Sequence, residues 1–404
     1  MTHSGRRRVY LHIGSPKTGT TYLQEILWQN QEALAEAGVL YPGDKPESHF
    51  HASMDLQRVQ FQEDWFDDNV PAAWRRLVDE ARDFPGTSIF SHELFCTAAS
   101  EHIERAMQDL SFAEVHVVCT ARDLARQIPA VWQEDVKNRH VVTFADFVAG
   151  VRGAPDPHWL SGLFWERQDL PEILARWSAA LPPERVHVIT VPPSGQPQEV
   201  LWERLCELLE ISPGSFDTTV ERPNRSLGVA ETELLHRLNP VLEERARIDW
   251  PGHDSVVKYQ VASEVLGSRK ARTPLRLPEE HHEWARQRAE RMIDDLARAG
   301  YQVIGDLKEL LPSSPGGTPV THPDRADEAE VLEVALEALA GLAERHAELE
   351  KEWEQALQRE APEGVRNSFR HLCEQDQALH QAYRALVKSK HTLKRLANKG
   401  GEQA

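Results

Sequence analysis

The segment Val9-Tyr10-Leu11-His12-Ile13 has the composition of a strand and runs directly into Gly14-Ser15-Pro16-Lys17-Thr18-Gly19, then into a helical pattern opening on Thr20-Thr21. Few arrangements constrain a fold more. Glycines let backbone approach an anion, a helix start offers unpaired N–H groups, a lysine neutralises charge and hydroxyls donate hydrogen bonds. All four features are present here. A Walker A loop places its lysine directly after the last glycine. Here Thr20 holds that place and Lys17 lies inside the loop, which disfavours an ordinary ATP or GTP hydrolase. The plainer alternative is a glycine turn with Thr20 as a simple helix cap.

Further strands are expected at Ser88–Ser91, Val115–Thr120 and Val186–Val191, each short and rich in β-branched or aromatic residues. Helical periodicity predicts helices over Thr20–Ala37, Pro71–Asp83, Asp123–Lys137, Glu199–Leu209, Ala230–Leu242 and Glu279–Ala299. Strands alternating with helices imply a parallel sheet covered on both faces, an α/β three-layer sandwich of the P-loop type.

The 404 residues leave room for a catalytic domain and an appendage. Leu311 to Val320, followed by His322-Pro323, is too rich in proline and glycine for a helix or central strand. It divides the chain into a domain over 1–310, a linker over 311–325 and a helical part over 326–404. In that last part Leu372, Leu379, Leu386 and Leu393 recur every seven residues, and Leu332, Leu336, Leu339, Leu342 and Leu349 form an upstream stripe. Pro362 and Gly364 separate the two, so an α-helical hairpin is expected. It either satisfies itself or offers a surface for a partner or for homo-oligomerisation.

The formal net charge of −18 opposes non-specific attraction to nucleic acid or anionic membranes, so any anion site must be a local basic pocket. The four cysteines, Cys96, Cys119, Cys206 and Cys373, are far apart and read as isolated reduced thiols. Val9-Tyr10-Leu11 leads to histidine and glycine instead of a long apolar run, so no signal peptide is expected and the cytoplasm is the default location. No metal is expected either. His49 and His51 would point the same way in an extended segment, but two histidines alone bind metal poorly.

Ligands of open α/β sheets sit beyond the carboxyl ends of the strands, so the residues leaving each strand are informative. Val115–Thr120 runs into Ala121-Arg122, and an arginine there is a permanently charged planar donor suited to phosphate. Ser88–Ser91 ends in His92-Glu93, either of which can accept a proton from an attacking hydroxyl. An anion loop, an arginine and a proton acceptor thus fall at three strand ends.

Residues 15–24, Ser-Pro-Lys-Thr-Gly-Thr-Thr-Tyr-Leu-Gln, resemble the 5′-phosphosulfate loop of the sulfotransferase family. The family's sulfuryl donor is 3′-phosphoadenosine 5′-phosphosulfate (PAPS). The resemblance implies a nucleotide-binding loop of Ser15, Lys17, Thr18, Gly19, Thr20 and Thr21. In it Lys17 would bridge the 5′-phosphate and the sulfuryl group, and Thr20 and Thr21 would bind the 5′-phosphate. In the family an arginine leaving a strand, with a serine eight residues on, holds the 3′-phosphate. Arg122 matches the arginine but position 130 is Ala130, which turns attention to Arg126 or Arg225. The resemblance makes Glu93 the first candidate base and His92 the second, and leaves His51 as a weaker acceptor-site candidate, while Ser226 reads as a simple cap. It spans about residues 8 to 310. Arg269-Lys270 is followed by Ala271 in place of the glycine of the animal cytosolic branch, which fits a divergent bacterial-type member.

Two rival readings remain open at the level of sequence. A P-loop small-molecule kinase would need magnesium, for which no strand-terminal aspartate is evident. A non-catalytic module with a partner-binding hairpin is favoured only by Ala130. The acceptor is expected to be a hydroxyl-bearing small molecule or carbohydrate, since specificity resides in loops that composition does not decode.

Overall fold

The structure, a computed structural model, describes residues 7–59, 67–220, 226–246, 248–313 and 320–358. Contacts divide the chain into two compact units, Met1–Ala335 and Leu336–Ala404.

The first unit is built on strands β1 (Arg8–His12), β2 (Val39–Leu40), β3 (Thr87–Ser91), β4 (Glu114–Ala121), β5 (Val186–Thr190) and β6 (Gln302–Ile304). They form one sheet in the order β2-β3-β1-β4-β5-β6, and every paired neighbour is parallel. Because β1 lies between β3 and β4, the chain leaves it first to one side and later to the other. The carboxyl end of β1 is therefore the switch point at which a crevice opens.

Helices follow as α1 (Thr20–Gln29), α2 (Gln31–Glu36), α3 (Ser48–Gln57), α4 (Ala73–Asp83), α5 (Ser100–Asp109), α6 (Leu124–Lys137) and α7 (Phe144–Val151). Then come α8 (Trp159–Gln168), α9 (Leu170–Ser178), α10 (Glu199–Leu209), α11 (Val229–Arg245), the single turn α12 (Trp250–Gly252), α13 (His282–Ala299) and α14 (Glu328–Gln358). A π-helical stretch, His253–Val265, follows α12.

The central strands are buried on both faces, as the near-continuous runs Val9–Leu11 and Val115–Cys119 require. On one face Tyr10, Ile89, Val118 and Ile189 meet Leu23, Ile26 and Leu27 of α1 and Leu201, Trp202 and Leu205 of α10. Burying each such side chain stabilises the fold by about 1.5–3 kcal/mol.

The helix expected over Thr20–Ala37 is broken at Asn30, which takes φ −109° and ψ 19°. Its amide donates to the carbonyls of Ile26 and Asp217, a side-chain alternative to the helical ladder. Ser48–His51 is helical, not extended. His49 stacks on Tyr41 and bonds Pro42, while His51 pairs with Asp67 at 2.9 Å, so the two rings serve different partners.

The stretch expected as a linker, 311–325, ends with Asp324 accepting hydrogen bonds from the N–H groups of Phe144 and Ala145, and the compact unit extends to Ala335. In the second unit, α14 supplies one long helix on which Leu336 and Leu339 are exposed. The other limb of the expected hairpin, with Leu372, Leu379, Leu386 and Leu393, lies outside the described residues. No described helix is long and apolar enough to cross a membrane.

Candidate functional site

The loop after β1 is shaped by two glycines and a lysine. Gly14 adopts φ +109°, and a Cβ on it would come within 3.0 Å of the Glu93 backbone, so glycine is what lets β1 and β3 bring loop and carboxylate together. Gly19 precedes α1 in the left-handed region at φ +86° and packs on Leu201. Lys17 is left-handed too, at φ 63°. The N–H groups of Lys17, Gly19, Thr20 and Thr21 bond to no other described residue. They are the orphan donors of a helix start, left available.

Two hydroxyls serve the scaffold instead. Thr18 Oγ1 hydrogen-bonds the Ser15 carbonyl and the Thr120 hydroxyl, and is fully buried. Thr120 in turn donates to the Gly14 carbonyl at 3.0 Å and lies 3.3 Å from His12 Nε2, whose Nδ1 is 2.7 Å from Ser91 Oγ. This chain of contacts ties the ends of β1, β3 and β4 beneath the loop. The side chains of Ser15 and Thr18, anticipated as nucleotide contacts, thus face the sheet; Ser15 is buried near Cys119.

Above the loop opens a cavity of about 540 Å³, lined in part by Lys17, Gly19, Thr20, Thr21, His92, Glu93, Arg122 and Arg126. The structure therefore brings these anticipated residues to one place. Arg225 lies outside the described residues, while Ser226 lines the cavity. Arg122 Nη1 donates to the Lys17 carbonyl at 3.1 Å, and its buried Nε has no partner. Burial and the neighbouring Arg126 lower the Arg122 guanidinium to about 10. Arg126 pairs with Asp123 and donates to the Pro192 carbonyl at 2.9 Å.

Glu93 and His92 differ in what they can do. Burial by itself raises the Glu93 carboxyl, but His92, a backbone N–H, Gln24 and Lys17 together hold it below the usual carboxylate value, so it is an ionised acceptor at neutral pH. Gln24 Nε2 donates to Glu93 Oε2 at 3.1 Å and fixes its orientation. Burial lowers the His92 imidazole, keeping it neutral. Its Nδ1 already accepts the Leu94 N–H at 3.2 Å, so the ring proton resides on Nε2 and that nitrogen is a donor.

A second group of charges was not anticipated. Lys17 Nζ lies 2.7 Å from Glu134 Oε2, Lys258 Nζ lies 2.9 Å from Glu134 Oε1, and Lys137 Nζ lies 3.8 Å from Glu134 Oε2. Burial would raise the Glu134 carboxyl, yet the three lysines hold it well below the usual range. Arg167 also lines the cavity. The i, i+4 and i+8 spacing of Arg126, Ala130 and Glu134 on one face of α6 was the available signal. Lys258 and Arg167 come from elements that periodicity alone did not mark. Among the described residues no group of three or more His, Cys, Asp or Glu side chains is placed to share a metal ion.

No protein-family model matches the chain. No curated protein matches it either. Among solved structures the chain is similar to the crystal structure of a sulfotransferase from Alicyclobacillus acidocaldarius. The identity is 18%, the TM-score is 0.36, and the match covers 60% of this chain and 97% of that one. At that depth of similarity, chemistry has to be read from this chain's own cavity.

Proposed function

We propose that this protein is a sulfotransferase that moves a sulfuryl group from PAPS to a hydroxyl of a small-molecule or carbohydrate acceptor. The observation that carries the reading is the meeting, in one cavity, of the free N–H groups of the Lys17 loop with Arg122 and Glu93. Such a cradle suits an anion that gains charge during reaction.

Lys17, Thr20, Thr21 and the loop amides would hold the phosphosulfate end of the donor. Arg122 and Arg126 would hold the 3′-phosphate, which compensates for Ala130. Glu93 takes the proton of the acceptor hydroxyl as its oxygen forms a bond to sulfur. The bond from sulfur to the 5′-phosphate oxygen breaks, and Lys17 stabilises the charge left on that oxygen. His92, with its proton on Nε2, donates a hydrogen bond and orients the acceptor. We further propose a cytoplasmic location and association of chains through the C-terminal helices, supported by the exposed Leu336 and Leu339.

The test has two arms. Calorimetric titration with 3′-phosphoadenosine 5′-phosphate is expected to give a micromolar dissociation constant. Incubation with sulfur-labelled PAPS and a metabolite extract is expected to give labelled products. Absence of nucleotide binding at millimolar concentration refutes the reading.

A further inference from the structure

Beyond the loop and the candidate base, the cavity carries a second basic wall. It is made by Lys137 at the last turn of α6, Arg167 of α8 and Lys258 of the π-helical stretch. Glu134 is shared by Lys137, Lys258 and Lys17, while Glu93 also acts on Lys17 and Lys258 and Asp254 on Lys258.

Arg167 adds a fourth cation. It makes no ion pair or hydrogen bond with a described residue, and its Nε is buried without a partner. The carboxyl that feels it most, Asp135, is pushed up to about 7 by burial and offers it only a partial counter-charge. Cations removed from water without full compensation are costly, and a site that tolerates them is matched to an incoming anion.

The 3′-phosphate of the donor, placed at Arg122 and Arg126, does not account for this wall. Arg126 and Lys137 stand eleven residues apart on α6, about 16 Å along its axis. Arg126 reaches the loop after β5 through the Pro192 carbonyl, while Lys137 lies beside the π-helical stretch through Glu134 and Lys258. One phosphate cannot bridge that span. Long π-helical turns are rare and are frequent at functional sites.

We infer that the wall of Lys137, Arg167 and Lys258 binds an anionic group carried by the acceptor, a carboxylate, phosphate or sulfate near the hydroxyl that receives sulfuryl. The inference rests on the sulfuryl-transfer reading and adds the charge class of the substrate. A neutral alcohol would leave Arg167 uncompensated; an anionic one completes the cavity.

The test titrates inorganic phosphate into full-length protein saturated with 3′-phosphoadenosine 5′-phosphate. Phosphate is expected to bind with a millimolar constant, Arg167→Gln should weaken it about tenfold while nucleotide affinity is unchanged, and Lys258→Gln should weaken phosphate by a similar factor. Two separate variants guard against one that fails to fold. Phosphate binding that the nucleotide abolishes would hand the wall to the donor and overturn the inference, as would binding that both variants leave intact. If the nucleotide itself does not bind, while phosphate binds and is lost in Arg167→Gln, the anion site stands and the sulfuryl-transfer reading is what fails.

Discussion

Lys17 Nζ and Glu134 Oε2 lie 2.7 Å apart across the mouth of the cradle, each side chain partly buried. The lysine that would grip the donor is thus already paired with a carboxylate. A bound phosphosulfate must compete for that ammonium, so the ion pair sets the cost of loading the site. Replacing Glu134 by glutamine removes the competitor and a repulsive charge. Glu134→Gln is expected to tighten 3′-phosphoadenosine 5′-phosphate by about tenfold, the effect of roughly 1.4 kcal/mol. Lys17→Ala should lower turnover by about a hundredfold to a thousandfold. Calorimetry and labelled transfer measure the two effects, and a weaker nucleotide complex in Glu134→Gln would contradict the competition.

Glu93 and His92 are separated by the same measurements. With Nδ1 of His92 occupied by the Leu94 N–H, Glu93 is the group with a free lone pair to accept a proton. Glu93→Gln should reduce turnover by about a hundredfold or more without changing nucleotide affinity, whereas His92→Asn should cost less. A base must be deprotonated to act. Because Glu93 is held below the ordinary carboxylate value, its contribution is fully present above pH 4.5 and fades only as pH falls through its lowered value. The rate should therefore show no Glu93 limb between pH 7 and pH 5. An acid limb near pH 6 that disappears in Glu93→Gln would contradict this assignment.

Acid should weaken the scaffold under the loop. His12 is fully buried between Ser91 and Thr120, and burial lowers it from 6.5 to about 4. The unfolded chain takes up this proton first, so the His12 contribution is present above pH 6.5 and is lost as pH falls toward 4. The loss is of the order of 3 kcal/mol. His49 and His187 are lowered in the same way and add to it. Urea denaturation from pH 7 to pH 4 should show stability falling with acid, and His12→Gln should flatten that slope. An unchanged slope would mean that His12 is not neutral in the folded state.

How much of this was legible in the chain depends on the range of the interactions. The loop, β1, β3, β4 and β5 were readable because each strand is a compact apolar run, and because parallel sheets gather their functional residues at one end. Arg122, Glu93 and Lys17 followed from that rule. The strands Val39–Leu40 and Gln302–Ile304 were not, being too short for any periodic signal. Thr18 illustrates a different limit: its residue type fits an anion loop, but its hydroxyl is taken by Thr120, more than a hundred residues away. Glu134, Lys137, Arg167 and Lys258 look like solvated helical charges in sequence. Only packing that joins α6, α8 and the π-helical stretch reveals them as cavity walls.

The domain edge gives the last prediction. Asp324 Oδ1 accepts the Phe144 N–H at 2.7 Å and Oδ2 accepts the Ala145 N–H at 2.8 Å. A carboxylate from distant sequence therefore caps the start of α7, beside the local cap that Thr143 provides for Asp146. Arg237 pairs with Glu328 at 2.7 Å nearby in sequence, with both partners exposed enough that this pair adds little. The cap is the stronger fastening, because it meets orphan N–H groups at the positive end of a helix. Asp324→Ala should cost about 1–2 kcal/mol and lower the urea midpoint without changing the slope, and Asp324→Asn should recover part of the loss. A chain ending at residue 313 should lose at least as much as Asp324→Ala. Equal midpoints for that shortened chain and the full chain would show that the proline-rich stretch is a passive tether, and that the first unit needs nothing beyond it.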